Sequence, residues 1–91
     1  MAKVVITIRI MPDSPTANLK NIEKNVSEKI KKFGGDLGKV ETEPVAFGLK
    51  AIKFIFVLDE SKGSTEPLEE NIKKINEVNS VEVVDVRRAI G

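Results

Sequence analysis

The chain has 91 residues, 15 Lys+Arg against 14 Asp+Glu for a net charge of +1, and no His, Cys, Trp or Tyr. One domain over residues 1–91 is the expectation at this length, and the 41% hydrophobic, 32% charged composition is that of a folded globular chain. The missing residue types exclude a disulfide framework, a thiolate nucleophile, a Ser-His-Asp triad and the common zinc sites, and the balanced charge argues against binding nucleic acid chiefly through its phosphates.

Lys3 to Ile10 alternates, with Val4, Ile6, Ile8 and Ile10 on one face and Lys3, Val5, Thr7 and Arg9 on the other. Period two with β-branched residues predicts a strand with one buried face, which Met11-Pro12-Asp13-Ser14-Pro15 should stop. From Asn18 the period changes. Leu19, Ile22, Val26, Ile30 and Phe33 make one apolar stripe on a helix, with Asn18 as N-cap and Gly34-Gly35 as its end.

Val40 to Pro44 reads as a short, polar edge strand. Leu49 to Leu58 is a longer one, whose even positions Ile52, Phe54, Phe56 and Leu58 form the better core face because Lys53 sits among the odd ones. A charged turn, Asp59 to Ser64, leads to a second helix that starts at Thr65-Glu66-Pro67 and carries Leu68, Ile72 and Ile75, with Val78 as a further member of the stripe, inward. Glu69/Lys73 and Glu70/Lys74 are spaced as i,i+4 pairs on its outer face. Val81 to Val86 is the last strand, followed by Arg87-Arg88-Ala89-Ile90-Gly91.

The order β-α-β-β-α-β, with right-handed crossovers, places both helices on one face of a four-stranded antiparallel sheet of order 4-1-3-2. This is the ferredoxin-like α+β sandwich, a fold that hosts enzymes, RNA binders, ligand sensors and protein-binding modules alike. Residues must decide among them.

Phe54 and Phe56 have the two-residue spacing of aromatics that stack on RNA bases, but they fall on the core face and the first strand offers Ile6 and Ile8 where an aromatic partner is needed. A phosphate-cradling enzyme of this topology needs an arginine in the loop after the first strand, and Met11 to Thr16 has none. The acidic pairs Glu41/Glu43 and Asp59/Glu60 sit beside turns, without an evident partner to shift a pKa, and read as solvated charge. No catalytic residue, metal or cofactor is called for. Nor does any stretch approach the ~20 apolar residues of a membrane span, and no signal-peptide pattern precedes the first strand.

Two segments exceed what the fold needs. Glu43-Pro44-Val45-Ala46-Phe47-Gly48-Leu49 puts an aromatic at a hairpin tip, where it either anchors a partner or folds back onto the sheet edge. Asp85-Val86-Arg87-Arg88 ends the last strand with two adjacent cations.

These two segments, with the first strand running into Met11-Pro12, resemble archaeal translation elongation factor one-beta over the whole chain. The resemblance implies a cytoplasmic guanine-nucleotide exchange factor whose partner is elongation factor one-alpha, the GTPase that delivers aminoacyl-tRNA. It implies protein binding without covalent chemistry, and no direct contact with nucleic acid or membrane. Pro44, Ala46, Phe47 and Gly48 become partner-binding residues, since a phenylalanine at this hairpin contributes to partner contact in the eukaryotic relatives. Those relatives disturb the magnesium end of the nucleotide site with a penultimate lysine. Here that position is Ile90, so Arg87 and Arg88 are the candidate cations; the eukaryotic tryptophan after the first strand's proline is Asp13. In those relatives the domain is the C-terminal part of a longer subunit, and the present chain resembles that part standing alone.

Overall fold

Alternation in the first segment does what its period dictates: Ile6, Ile8 and Ile10 are buried, while Val5, Thr7 and Arg9 stay half-exposed. In the computed structural model, which describes residues 2–89, this strand is β1 (Lys3–Pro12), followed by α1 (Leu19–Phe33), β2 (Asp36–Pro44), β3 (Lys50–Asp59), α2 (Glu66–Lys73) and β4 (Val78–Ala89). The strands form one antiparallel sheet, ordered β2-β3-β1-β4, which is the expected order read from the other edge. Ile90 and Gly91, including the penultimate position singled out above, lie outside the described residues.

The two helices cover one face. Ile8 pairs with Phe54 and Ile6 with Phe56, and this double row meets Ile22, Val26 and Ile30 of α1 and Leu68 and Ile72 of α2. Phe54 and Phe56 are fully buried. Each such side chain contributes about 1.5–3 kcal/mol by leaving water, so this layer is the main source of stability.

Helix α1 is bounded as its sequence directs. The Asn18 side chain accepts from the Asn21 N–H at 3.1 Å. At the other end Gly34 adopts φ 101°, its N–H donating to Lys31 O and that of Gly35 to Ile30 O, the two bonds of a Schellman motif. Lys31 and Lys32 lie in the last turn, where the helix dipole favours cations.

Three boundaries differ from expectation. β2 begins at Asp36 rather than Val40, because main-chain pairing with β3 does not require apolar side chains and Leu37 supplies a half-buried contact opposite Phe56. β1 runs through Pro12, which as the terminal residue of the ladder pairs with Val78 after a register shift. β4 extends from Val78 to Ala89, so Arg87 and Arg88 belong to the ladder, opposite Val5 and Val4. Helix α2 stops at Lys73, so Ile75 and Val78 of the expected stripe lie beyond it, Val78 as the first residue of β4, and the expected i,i+4 ion pairs are absent among the described residues. Instead, the Glu69 carboxylate accepts from Thr65 Oγ1 at 2.9 Å.

Candidate functional site

The hairpin between β2 and β3 is closed by backbone bonds from Val45 N to Leu49 O (2.8 Å) and from Leu49 N to Ala46 O (3.2 Å). Such a tight closure needs left-handed backbone at its apex, and Phe47 (φ 60°, ψ 30°) and Gly48 (φ 75°) both provide it. Gly48 does so freely, whereas Phe47 adopts a conformation disfavoured for a residue with a Cβ. Its ring is 93% exposed. Phe47 therefore does not fold back onto the sheet edge. Pro44, Ala46 and Gly48 are exposed around it.

Arg87 and Arg88 lie elsewhere. Their β1 partners are Val5 and Val4, whereas the hairpin continues from Lys50 and Pro44, beyond the Ile10–Ile52 pair. Six residues of strand separate Val4 from Ile10, which is about 20 Å of rise in a molecule 42 Å long. The hairpin group is therefore brought together, and the arginines are placed at the opposite end.

Strand alternation sends the two arginines to different faces. A bulge leaves Val84 without a β1 partner, after which Asp85 and Arg87 share the open face and Arg88 turns toward the helix side. Arg87 donates from Nε to Asp85 Oδ2 at 2.9 Å. Arg88 pairs through Nη2 with Glu60 Oε1. Both heads remain largely exposed.

A third charged group spans the open face. Lys53 Nζ bonds Glu43 Oε2 at 2.9 Å, and Arg9 Nε, shielded from solvent and without a hydrogen-bond partner among the described residues, faces Glu43 Oε1 at 3.8 Å. The Lys53 hydrogen bond foremost, then the Lys53 and Arg9 charges, hold the Glu43 carboxyl below its ordinary pKa against some desolvation. Asp59 is lowered as well, chiefly by the Ser61 backbone N–H donating to Oδ1 at 2.9 Å. The sequence expectation that neither acid has a partner is thus corrected. A lowered carboxylate stays ionised near neutral pH, which suits a structural anion and not a general acid.

Sequence reasoning missed Glu60 as the Arg88 partner, 28 residues away in the chain, and Arg9 as the Glu43 neighbour. Only the strand register brings them together, and no local spacing signals it. Among the described residues no group of three or more acidic side chains is placed to hold a metal, and no helix is long and apolar enough to cross a membrane. With Phe54 and Phe56 inside the core, the rings that resembled a base-stacking pair are out of reach.

This architecture defines an α+β sandwich that presents an aromatic at one end of its sheet and two cations at the other. A family model described as the EF-1 guanine nucleotide exchange domain matches residues 5–89. Among curated proteins, "Elongation factor 1-beta" of Methanothermobacter thermautotrophicus is 42% identical over 97% of this chain and 98% of its own length. The protein of the same name from Methanocaldococcus jannaschii is 39% identical, covering 98% and 100% respectively. The chain belongs to the EF-1 guanine nucleotide exchange domain family, and its function is guanine-nucleotide exchange in translation elongation. Among solved structures, the ACT domain from GTP pyrophosphokinase of Chlorobium tepidum superposes with a TM-score of 0.61 at 20% identity, over 90% of this chain and 99% of that one, which shows a shared fold.

Proposed function

We propose that the chain performs its exchange function as a single domain over residues 1–91, binding elongation factor one-alpha directly in the cytoplasm, without covalent chemistry and without touching nucleic acid or membrane. The observation that carries this reading is the exposed Phe47 ring on a left-handed apex. A fold gains nothing from holding an aromatic ring in water on disfavoured backbone, whereas a partner's apolar pocket does.

In this reading Pro44, Ala46, Phe47 and Gly48 dock one end of the sheet, and Arg87 and Arg88 act at the other. The separation of the two groups by about 20 Å of strand rise supports a factor that engages two regions of the GTPase at once. A cation brought to the magnesium end of the partner's nucleotide site opposes the metal and competes for its acidic ligands, and the planar fork of arginine suits a carboxylate.

The mechanism is differential binding. The factor favours the nucleotide-free GTPase, and by linkage it lowers nucleotide affinity by the same factor that nucleotide lowers its own. A thousandfold acceleration of GDP release corresponds to about 4 kcal/mol of such preference. The test is release of fluorescent GDP from the cognate elongation factor one-alpha, with and without this protein. Acceleration that saturates with factor concentration is expected; unchanged release overturns the proposal.

A further inference from the structure

Among the described residues, two other than glycine hold positive φ, Phe47 at 60° and Glu77 at 73°, and both lie at the same end of the sheet, Glu77 immediately before the Val78–Pro12 pair. Disfavoured backbone of this kind persists only where its surroundings over-determine it. For Glu77 the surroundings are the segment between β1 and α1. Its carbonyl accepts from the Asp13 N–H at 2.9 Å, and its Oε2 accepts from the Asn18 N–H at 3.2 Å. One residue thus holds both ends of Asp13–Asn18.

Between those anchors the segment is folded tightly. The Ala17 N–H donates to Ser14 O at 3.2 Å, the Ser14 and Thr16 hydroxyls bond at 3.2 Å, and Ala17 is buried. Pro15 and Thr16 are left at the surface. Pro15 stands against the hairpin apex, its Cβ 3.9 Å from the point where a Cβ on Gly48 would sit. The loop is therefore held beside the hairpin apex by its own hydrogen bonds together with the two that Glu77 accepts.

We infer that the docking surface at this end is composite, formed by Phe47 together with the Pro15-Thr16 loop, and that Glu77 is its positioning residue. The surface fits an apolar pocket on the GTPase deep enough for an aromatic ring and flanked by a shelf that receives the proline. This inference rests on the reading of Phe47 as a docking residue. Glu77 touches nothing of the partner in this account; it acts by keeping Pro15 in place, so that the ordering of the loop is complete before binding.

The experiment measures GDP release against factor concentration for the full chain and four variants, Phe47→Ala serving as the reference for loss of the docking ring. In Glu77→Gly the backbone keeps φ 73° without strain but the carboxylate is gone. In Glu77→Gln the amide oxygen still accepts from Asn18. In Pro15→Arg the loop stays anchored while its outer surface becomes bulky and charged. We expect Glu77→Gly and Pro15→Arg to raise the half-saturating concentration about tenfold with the maximal release rate within about twofold, and Glu77→Gln to resemble wild type. A lowered melting temperature with unchanged half-saturation in Glu77→Gly overturns the positioning role. Should Glu77→Gly fail to fold, Pro15→Arg decides alone, and wild-type half-saturation there overturns the composite surface. Weakening by Phe47→Ala but by neither Pro15→Arg nor Glu77→Gly defeats this inference and leaves the proposed function standing, whereas no acceleration by the wild-type chain defeats both.

Discussion

Arg88 is tied to Glu60 across the end of the sheet, a contact between residues 28 apart in the chain. The pairing bears on the role proposed for the cationic end. Arg88 does not hang from a free terminus: its backbone is in the ladder opposite Val4, and its guanidinium already holds a carboxylate in the way it would hold a metal ligand of the partner. Exposed as the pair is, it is weak, so in the proposed mechanism an acidic group on the GTPase would take the guanidinium over at small cost.

Arg88→Ala should slow catalysed GDP release more than Arg87→Ala, with complex formation largely retained. Removing Glu60 as a competitor, by Glu60→Gln, should leave release at the wild-type rate or faster. Stopped-flow release with and without a magnesium chelator checks both, and the difference between the two arginine variants should shrink when the metal is removed. Wild-type release from both single variants and the double would exclude the basic-residue mechanism.

Phe54 and Phe47 are of opposite kinds. Phe54→Ala empties space in a fully buried layer and should cost about 3–5 kcal/mol of stability, a large share of what a small domain possesses. Phe47→Ala removes a ring already in water and should leave stability within about 1 kcal/mol while weakening GTPase binding by about 2 kcal/mol. Chemical denaturation and a binding titration on the same preparations separate the effects. A large stability loss in Phe47→Ala would mean that the ring packs in the fold.

Acid should act through Glu43. Its folded pKa lies below the ordinary value of 4.5, held there mainly by the Lys53 hydrogen bond, so folding favours the ionised form. The contribution is complete above the unfolded value and is lost as pH falls through the folded one. The melting temperature should therefore decline as pH drops below about 4.5, and less steeply in Glu43→Gln, which has no proton to take up. Asp59, lowered by the Ser61 N–H, supplies a second part of the same decline. Parallel curves for wild type and Glu43→Gln would remove Glu43 from the account.

What could be read from the sequence follows from where the information lies. Period two in Val4–Ile10 and Ile52–Leu58 and the stripe Leu19–Phe33 are local signals, and they fix the sheet, the first helix and the burial of Phe54 and Phe56. The ends of β2 and β4 are not local. Asp36–Lys39 and Arg87–Ala89 are strands because β3 and β1 offer paired backbone, whatever their side chains prefer. Similarly, Phe47 announces itself as an aromatic at a turn, but its left-handed backbone is set by the Val45–Leu49 closure, and the Glu77 clamp needs two loops 59 residues apart to meet. The exposed Phe was legible; what holds its surroundings was not.

The distance between the two ends gives the last prediction. Sites farther apart than about 10 Å with no shared partner add in free energy to within about 0.5 kcal/mol, and roughly 20 Å of strand rise separates Arg88 from the hairpin. If Phe47 supplies docking and Arg88 acts on the nucleotide site, Phe47→Ala should raise the half-saturating factor concentration with little change in the maximal release rate. Arg88→Ala should do the reverse. The double variant should show both changes undiminished, because losing one end leaves the other to make its own contact. A double-mutant cycle on the second-order rate constant for GDP release measures this directly. A coupling energy above about 1 kcal/mol would mean that the ends do not act independently, as when the arginine reaches its place only after the hairpin has moved the GTPase.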